Sequence, residues 1–274
     1  RNQKFAVSNP YPAMPLFARW HLDFVGQLPT TTEGNKWILV AVESLSRWVV
    51  ARATPDATAA TVAKFLYNDI VTSYGCPTEI ISDRGSAFVS RTLQEFLKLL
   101  PVHARFSTPY HPRTNGVVER MNGELGKILS KTIQGAVRHW DKFLSQAVFA
   151  CRTRVNRNTG KSPFLLLYGL DPKLPGIDIP PFVFNYEETD ARTNVRAGEL
   201  EKLGKTREGA LMRLRGAQAA AKFSYDQEVR RDPLRYGSWV FLRDERYGKL
   251  KRKFQPLWFG PYQVHSVSAS TLTC

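Results

Sequence analysis

Cysteine is scarce in this chain: Cys76, Cys151 and Cys274 lie far apart and form no Cys-x-x-Cys pair. A disulfide framework is not expected, and a reduced, intracellular setting fits better. The five histidines, His21, His103, His111, His139 and His265, are equally scattered, so no structural zinc site is expected from local spacing. Acid is short relative to base, with 24 Asp and Glu against 39 Lys and Arg. Long apolar runs are missing too. None approaches the roughly 20 residues that cross a bilayer, and the amino end has no signal-peptide core. No membrane partner is expected.

What is there begins with size and charge. At 274 residues the chain has room for a core of 100–200 residues and an accessory module. Hydrophobic residues at 43% and charged residues at 23% are ordinary for a globular protein. A net charge of +15 is not ordinary. It favours a polyanion, because each phosphate contact by Lys or Arg releases condensed counterions. Ribosomal RNA or an anionic membrane surface meets the same requirement, so charge names a partner class and not an activity.

Residues 1–15 form an extended lead-in, since Pro10, Pro12 and Pro15 oppose helix. Trp20–Val25, Trp37–Glu43 and Trp48–Ala53 are β-branched and aromatic with turn residues between, which predicts an antiparallel meander. A helix is expected over about 57–74, a strand at Thr78–Ser82, a helix at Ser90–Leu99 and a strand at His103–Phe106. A loop with Pro109 and Pro112 leads to a helix carrying Glu119; further helices cover about 138–154 and the stretch opened by Ser162-Pro163. The pattern predicts an α/β core at 16–170, a mixed five-stranded sheet with flanking helices. A proline-rich connector follows at 171–181, the best domain boundary. A helical linker is expected over 182–230, with an apolar seam of Leu200, Leu203, Ala210, Leu214, Ala217 and Ala221. From 235 to 274, Trp239–Leu242, Trp258–Phe259 and Tyr262–Val267 predict strands of a partial small β-barrel module.

Three acids stand at strand or helix edges. Asp23 lies inside an apolar strand, Asp83 ends another, and Glu119 opens a helix; residues 84–118, 35 in all, separate the last two. Two magnesium ions about 3.5–4 Å apart can clamp the attacking and leaving oxygens of an in-line phosphoryl displacement. Hard oxygen ligands suit Mg²⁺, so that chemistry needs three carboxylates gathered by the fold. Taken singly, Asp83 is an ordinary turn residue and Glu119 an ordinary first-turn acid. Asp23 is costlier to explain, because a carboxylate among buried apolar residues needs a cation or donors.

The surroundings carry more specificity. Ser107-Thr-Pro-Tyr-His-Pro-Arg-Thr-Asn-Gly-Val-Val-Glu-Arg-Met-Asn is similar to the catalytic-helix approach of retroviral and LTR-retrotransposon integrases. Ser82-Asp-Arg-Gly-Ser-Ala-Phe resembles the segment around that family's second catalytic aspartate, and the 35-residue gap is the family's spacing. Asn156-Arg-Asn-Thr-Gly-Lys-Ser-Pro-Phe-Leu-Leu-Leu-Tyr-Gly resembles the end of the core in gypsy-type (metavirus) elements. Lys253-Phe-Gln-Pro-Leu-Trp-Phe-Gly-Pro-Tyr-Gln-Val resembles the module after it.

The resemblance implies a ribonuclease H-like core in which Asp23, Asp83 and Glu119 are catalytic and bind two Mg²⁺ or Mn²⁺ ions. It implies 3′-end processing of element DNA and strand transfer to a target, by a homo-oligomer on double-stranded DNA. Nuclear action, with a possible cytoplasmic particle stage, follows. The C-terminal module is then a partial Src-homology-3-like one. Departures are a missing His-His-Cys-Cys domain, Gly237-Ser238 in place of Gly-Asp, and an early stop at Cys274, which suggest an excised or truncated piece. His111, Asn115 and Arg120 flank Glu119 as candidate DNA contacts, as do Lys127 and Lys131 on its helix and the cluster Lys249, Lys251, Arg252 and Lys253. Gly116, Gly123 and Gly126 share Glu119's stripe, for close approach of DNA or for close helix packing. The rival reading is a catalytically silent, host-retained DNA-binding derivative.

Overall fold

The computed structural model describes residues 12–107, 116–174, 186–227, 236–243, 258–267 and 272–273. Three strands open it as the expected meander: β1 (Arg19–Gly26), β2 (Trp37–Glu43) and β3 (Val49–Thr54), antiparallel in sequence. After helix α1 (Ala59–Phe65), a π-helical stretch (Leu66–Val71) and a last turn α2 (Thr72–Tyr74), the chain returns as β4 (Glu79–Ser82), parallel to β1. Short α3 (Ser86–Val89) and α4 (Arg91–Lys98) lead to β5 (His103–Phe106), parallel to β4. The sheet order is β3-β2-β1-β4-β5, the mixed five-stranded sheet of a ribonuclease H-like core.

Period-2 alternation divides the strands between two cores. Leu39 and Ala41 of β2, with Trp20 and Leu22 of β1, pack on Val62, Phe65, Leu66 and Ile70 and on Leu93 and Leu97. Ile38, Val40 and Val42 face the other way, against α5 (Gly116–Thr132) and α6 (Trp140–Thr153) through Val118, Met121, Leu125, Leu144 and Val148. In β1 the residues between Trp20, Leu22 and Phe24 belong to this second face, so Asp23 is carried toward α5.

Helix limits follow the caps. The first helix starts at Ala59, later than composition suggests, because Thr58 accepts from Thr61 N–H and acts as its N-cap. Ser162 caps α7 (Pro163–Tyr168) in the same way, and Gly169 ends it at φ +74°. A Cβ at Gly169 would meet Leu203 at 3.0 Å. That contact belongs to α8 (Tyr186–Gln227), which packs on α7: Arg207 donates to Leu166 O at 2.8 Å and Leu167 O at 2.9 Å. Pro10–Gln218 consequently forms one compact unit, with residues from Ala219 onward in a second.

The α8 seam is shorter than its spacing predicts. Leu203, Ala210 and Leu214 are buried, whereas Leu200, Ala217 and Ala221 are exposed. The buried stretch is the one that lies against α7 and the loop before it, where Leu203 meets Gly169 and Arg213 meets Gly160. In the second unit β6 (Trp239–Arg243) pairs with β7 (Trp258–Gln263), and β8 (Ser266–Val267) with β9 (Leu272–Thr273), all antiparallel. Strand β7 runs unbroken through Gly260-Pro261, where composition predicts a break, because a register shift between Val240 and Leu242 absorbs the irregularity. Among the described residues no helix is long and apolar enough to cross a membrane.

Candidate active site

Adjacent strand ends bring the first two acids together. Arg19, Trp20 and His21 of β1 lie beside Glu79, Ile80 and Ile81 of β4, so Asp23 and Asp83 follow at neighbouring ends of parallel strands. That is where open α/β sheets place ligands. Asp83 is exposed and accepts from Gly85 N–H at 2.8 Å, which turns the chain into α3. Glu119 lies in the first turn of α5, also exposed.

Asp23 is the partly enclosed member of the trio. Its Oδ1 accepts from Phe24 N–H at 2.9 Å and its Oδ2 from Asn122 Nδ2 at 2.8 Å. Burial pushes its pKa from 3.8 to about 7; the negative charges of Asp83 and Glu119 push the same way, and the two hydrogen bonds only partly oppose them. The three acids therefore share one electrostatic field. They do not yet form a coordination shell: among the described residues no three His, Cys, Asp or Glu side chains are grouped closely enough to hold a metal ion.

The donor set nonetheless fits a hard divalent cation. All three donors are carboxylates, the charges acting on Asp23 from its two acidic neighbours are unfavourable, and Asp83 and Glu119 are exposed enough to turn. Asn122 is the residue that sequence reasoning left unassigned. It stands three positions after Glu119, on the same helical stripe, and its Oδ1 is buried with no hydrogen-bond partner among the described residues. The signal was present in that offset.

Other expected contacts divide in two. Arg120, Lys127 and Lys131 are exposed on α5, the helix of Glu119. His111 and Asn115, and the cluster Lys249, Lys251, Arg252 and Lys253, lie outside the described residues. For Gly116, Gly123 and Gly126 the helix-packing explanation fails, since no described atom comes within 4 Å of where a Cβ would stand.

Fold and site together define a ribonuclease H-like domain with a carboxylate-lined edge. Residues 17–112 match the integrase core domain family, and the chain is homologous to retroviral Pol polyproteins. It is 30% identical over 255 residues to the Gag-Pol polyprotein of baboon endogenous virus (strain M7), covering 89% of this chain and 13% of that one. The corresponding figures are 31% over 245 residues, 89% and 20%, for the Gag-Pol polyprotein of avian reticuloendotheliosis virus. For the Pol polyprotein of radiation murine leukemia virus (strain Kaplan) they are 30% over 247 residues, 89% and 40%. The chain thus spans well under half the length of these relatives. A cryo-EM structure of a simian T-cell lymphotropic virus intasome shares the fold, with TM-score 0.54 and 22% identity over 67% of this chain and 65% of that one.

Proposed function

We propose that this core catalyses metal-dependent 3′-end processing and strand transfer of DNA, with Asp23, Asp83 and Glu119 as its catalytic carboxylates. The observation that carries the reading is the field at Asp23, raised by burial and by those two partners from other elements. In the first step water displaces a 3′-oxygen from phosphorus near an element end. In the second the freed 3′-hydroxyl displaces a target-DNA oxygen the same way.

Asp23, Asp83 and Glu119 are the residues that would hold two Mg²⁺ or Mn²⁺ ions, which when bound supply charge stabilisation to the attacking and leaving oxygens. Asn122 keeps the Asp23 carboxylate oriented, and Gly85 N–H does the same for Asp83. Arg120, Lys127 and Lys131 offer positive charge along α5 to phosphates entering beside Glu119. His111, Asn115, Lys249, Lys251, Arg252 and Lys253 complete the proposed DNA contacts.

The assignment extends to an integrase of a gypsy-type (metavirus) LTR retrotransposon, acting in the nucleus as a homo-oligomer on element ends and target DNA. The Tyr168-Gly169 and Gly260-Pro261-Tyr262 motifs support the subclass, and the intasome of the similar viral protein supports an oligomer. The test is strand transfer with labelled donor ends by the full-length parent protein, with Mg²⁺ or Mn²⁺, beside Glu119→Gln. Joined product from the parent alone is expected. Equal product from both would remove Glu119 from the site.

A further inference from the structure

Between Lys142 and Leu170 the sequence holds five Lys and Arg and no Asp or Glu. Arg152 is accounted for within the core: its Cζ lies 4.1 Å from the centre of the Trp48 ring, and its Nε donates to Val49 O at 2.8 Å. Arg157 and Lys161 are not. Both are exposed, and neither side chain makes a hydrogen bond or ion pair among the described residues.

Local structure fixes these two cations on one closed turn between α6 and α7. Asn156 N donates to Lys161 O at 3.0 Å, and Gly160 N to Asn156 O at 2.8 Å. Asn158 N donates to Asn156 Oδ1 at 2.9 Å, and the buried Thr159 hydroxyl to Lys161 O at 2.9 Å. A backbone tied in this way has little freedom left to lose when the turn binds a partner.

Helix α8 brings a third cation to the same place. Two of its arginines are spent on α7, Arg196 on Tyr168 O at 2.6 Å and Arg207 on Leu166 O and Leu167 O. Arg213 is used differently. It lies against Gly160, where a Cβ would stand 3.1 Å from its Cζ and 3.5 Å from its Cδ, and the φ of +69° there favours glycine. It is exposed and makes no hydrogen bond or ion pair among the described residues.

A lone surface cation is ordinarily solvated. Here three are gathered on a fixed turn and its covering helix, with no described carboxylate paired to any of them. Like charges so gathered repel, and phosphate oxygens relieve them through charge-assisted hydrogen bonds. A run of phosphates suits cations spread over two elements better than one small anion does.

The place is separate from the carboxylates. Helix α6 runs from the loop after β1, where Trp140 Nε1 donates to Pro29 O at 2.8 Å, to Val49 at the start of β3. Val49 pairs with Val42, and Val42 with His21, toward the start of β1. The turn therefore lies beyond the start of β1, whereas Asp23 is past its middle and Asp83 follows the end of its parallel neighbour β4.

We propose that Arg157, Lys161 and Arg213 form a second contact for the phosphate backbone of duplex DNA, apart from the carboxylate edge. The proposal rests on the DNA reading above and adds a surface to it. The three residues act in binding and take no part in the chemical step.

The test uses the full chain in EDTA, so that binding is read apart from metal and turnover. Duplex affinity is measured across a salt series for the parent, the triple variant Arg157→Gln/Lys161→Gln/Arg213→Gln, and Lys127→Gln/Lys131→Gln on α5, with thermal melting of each. The triple variant should melt like the parent and flatten the log–log salt slope by about 2–3. Should Arg213→Gln lower the melting temperature, Arg157→Gln/Lys161→Gln carries the test, with a flattening of about 2. Combined with the α5 changes, the losses should add, because the two surfaces share no phosphate.

An unchanged slope in the turn variants, with the parent binding DNA, overturns this proposal alone. Losses that fail to add merge the turn with the α5 surface and overturn the second contact. Parent slope on DNA with lost binding to phosphatidylserine-containing vesicles makes the turn a membrane contact and overturns the DNA assignment. A parent that binds no duplex overturns both this proposal and the reading beneath it, so the two failures are distinguishable.

Discussion

Strand β1 carries a charge at its start and another just past its middle, and the two are treated in opposite ways. At its start Arg19 is buried and ion-paired with Glu79, its register neighbour on β4, which also pairs with Arg105; Arg19 Nη1 reaches Pro12 O at 2.6 Å. Four residues on, Asp23 is pushed to a pKa of about 7 by burial and by the negative charges of Asp83 and Glu119. One end is compensated and closed, the other is left in need of positive charge. Burial of charge is common to both, and only the sign of the neighbours separates structure from candidate function.

The largest effect should come from the uncompensated end. Asp23→Asn, Asp83→Asn and Glu119→Gln should each cut strand transfer by about a thousandfold or more in an active parent, and the triple variant should be scarcely worse than any single one. Bulk DNA affinity should change little, and none of the single variants should lose stability. Additive losses across the three would break the idea of one shared site.

The compensated end should respond in stability instead. Glu79→Gln takes the carboxylate from Arg19 and Arg105 and should destabilise the core by about 3–5 kcal/mol, read from denaturant unfolding. A loss under about 1 kcal/mol would show that the pair is not what closes that end.

A third prediction follows from the sign of the Asp23 shift. Its folded pKa lies above the unfolded value, so the folded state is favoured at low pH and loses that advantage as pH rises from about 4 through 7. Asp23→Asn keeps the Asn122 interaction available but carries no charge. It should be nearly neutral at pH 4 and stabilise by on the order of 2–4 kcal/mol above pH 7, discounted for partial solvation. Mg²⁺ should raise the melting temperature of the parent at pH 8 and not that of the triple variant. A parent whose stability is flat between pH 4 and 8 relative to Asp23→Asn would place the carboxylate in water.

These two ends also mark how far the sequence could be read. The meander, the parallel strands and the α5 helix follow from period-2 and period-3.6 patterns, and β2 and β5 fall on their expected residues. Short α3 has too few residues to show a period, and the π-helical stretch at Leu66–Val71 leaves no mark in composition. The argument that an acid among apolar strand residues needs explaining applies as well to Glu43 and Glu79 as to Asp23. What distinguishes them is tertiary: arginines and turn N–H groups reach the two glutamates, whereas acids reach Asp23. Asn122 was visible only as an offset from Glu119, and its use became clear from the Asp23 contact.

The smallest expected effect concerns α5, the helix that borders the uncompensated end. Gly123 and Gly126 are interior to it and exposed, and no described atom comes within 4 Å of a Cβ added at either. Glycine in such a position costs roughly 1 kcal/mol against alanine, through backbone entropy alone when no neighbour is displaced. Gly126→Ala should therefore raise the unfolding free energy by roughly 0.5–1 kcal/mol, and Gly123→Ala by a similar amount. The two should add, since each changes only its own backbone freedom. Circular-dichroism melts of the single and double variants decide the matter. A loss of stability in either would mean that something packs against this face after all, and the contrast between a filled strand start and an open helix face would no longer hold there.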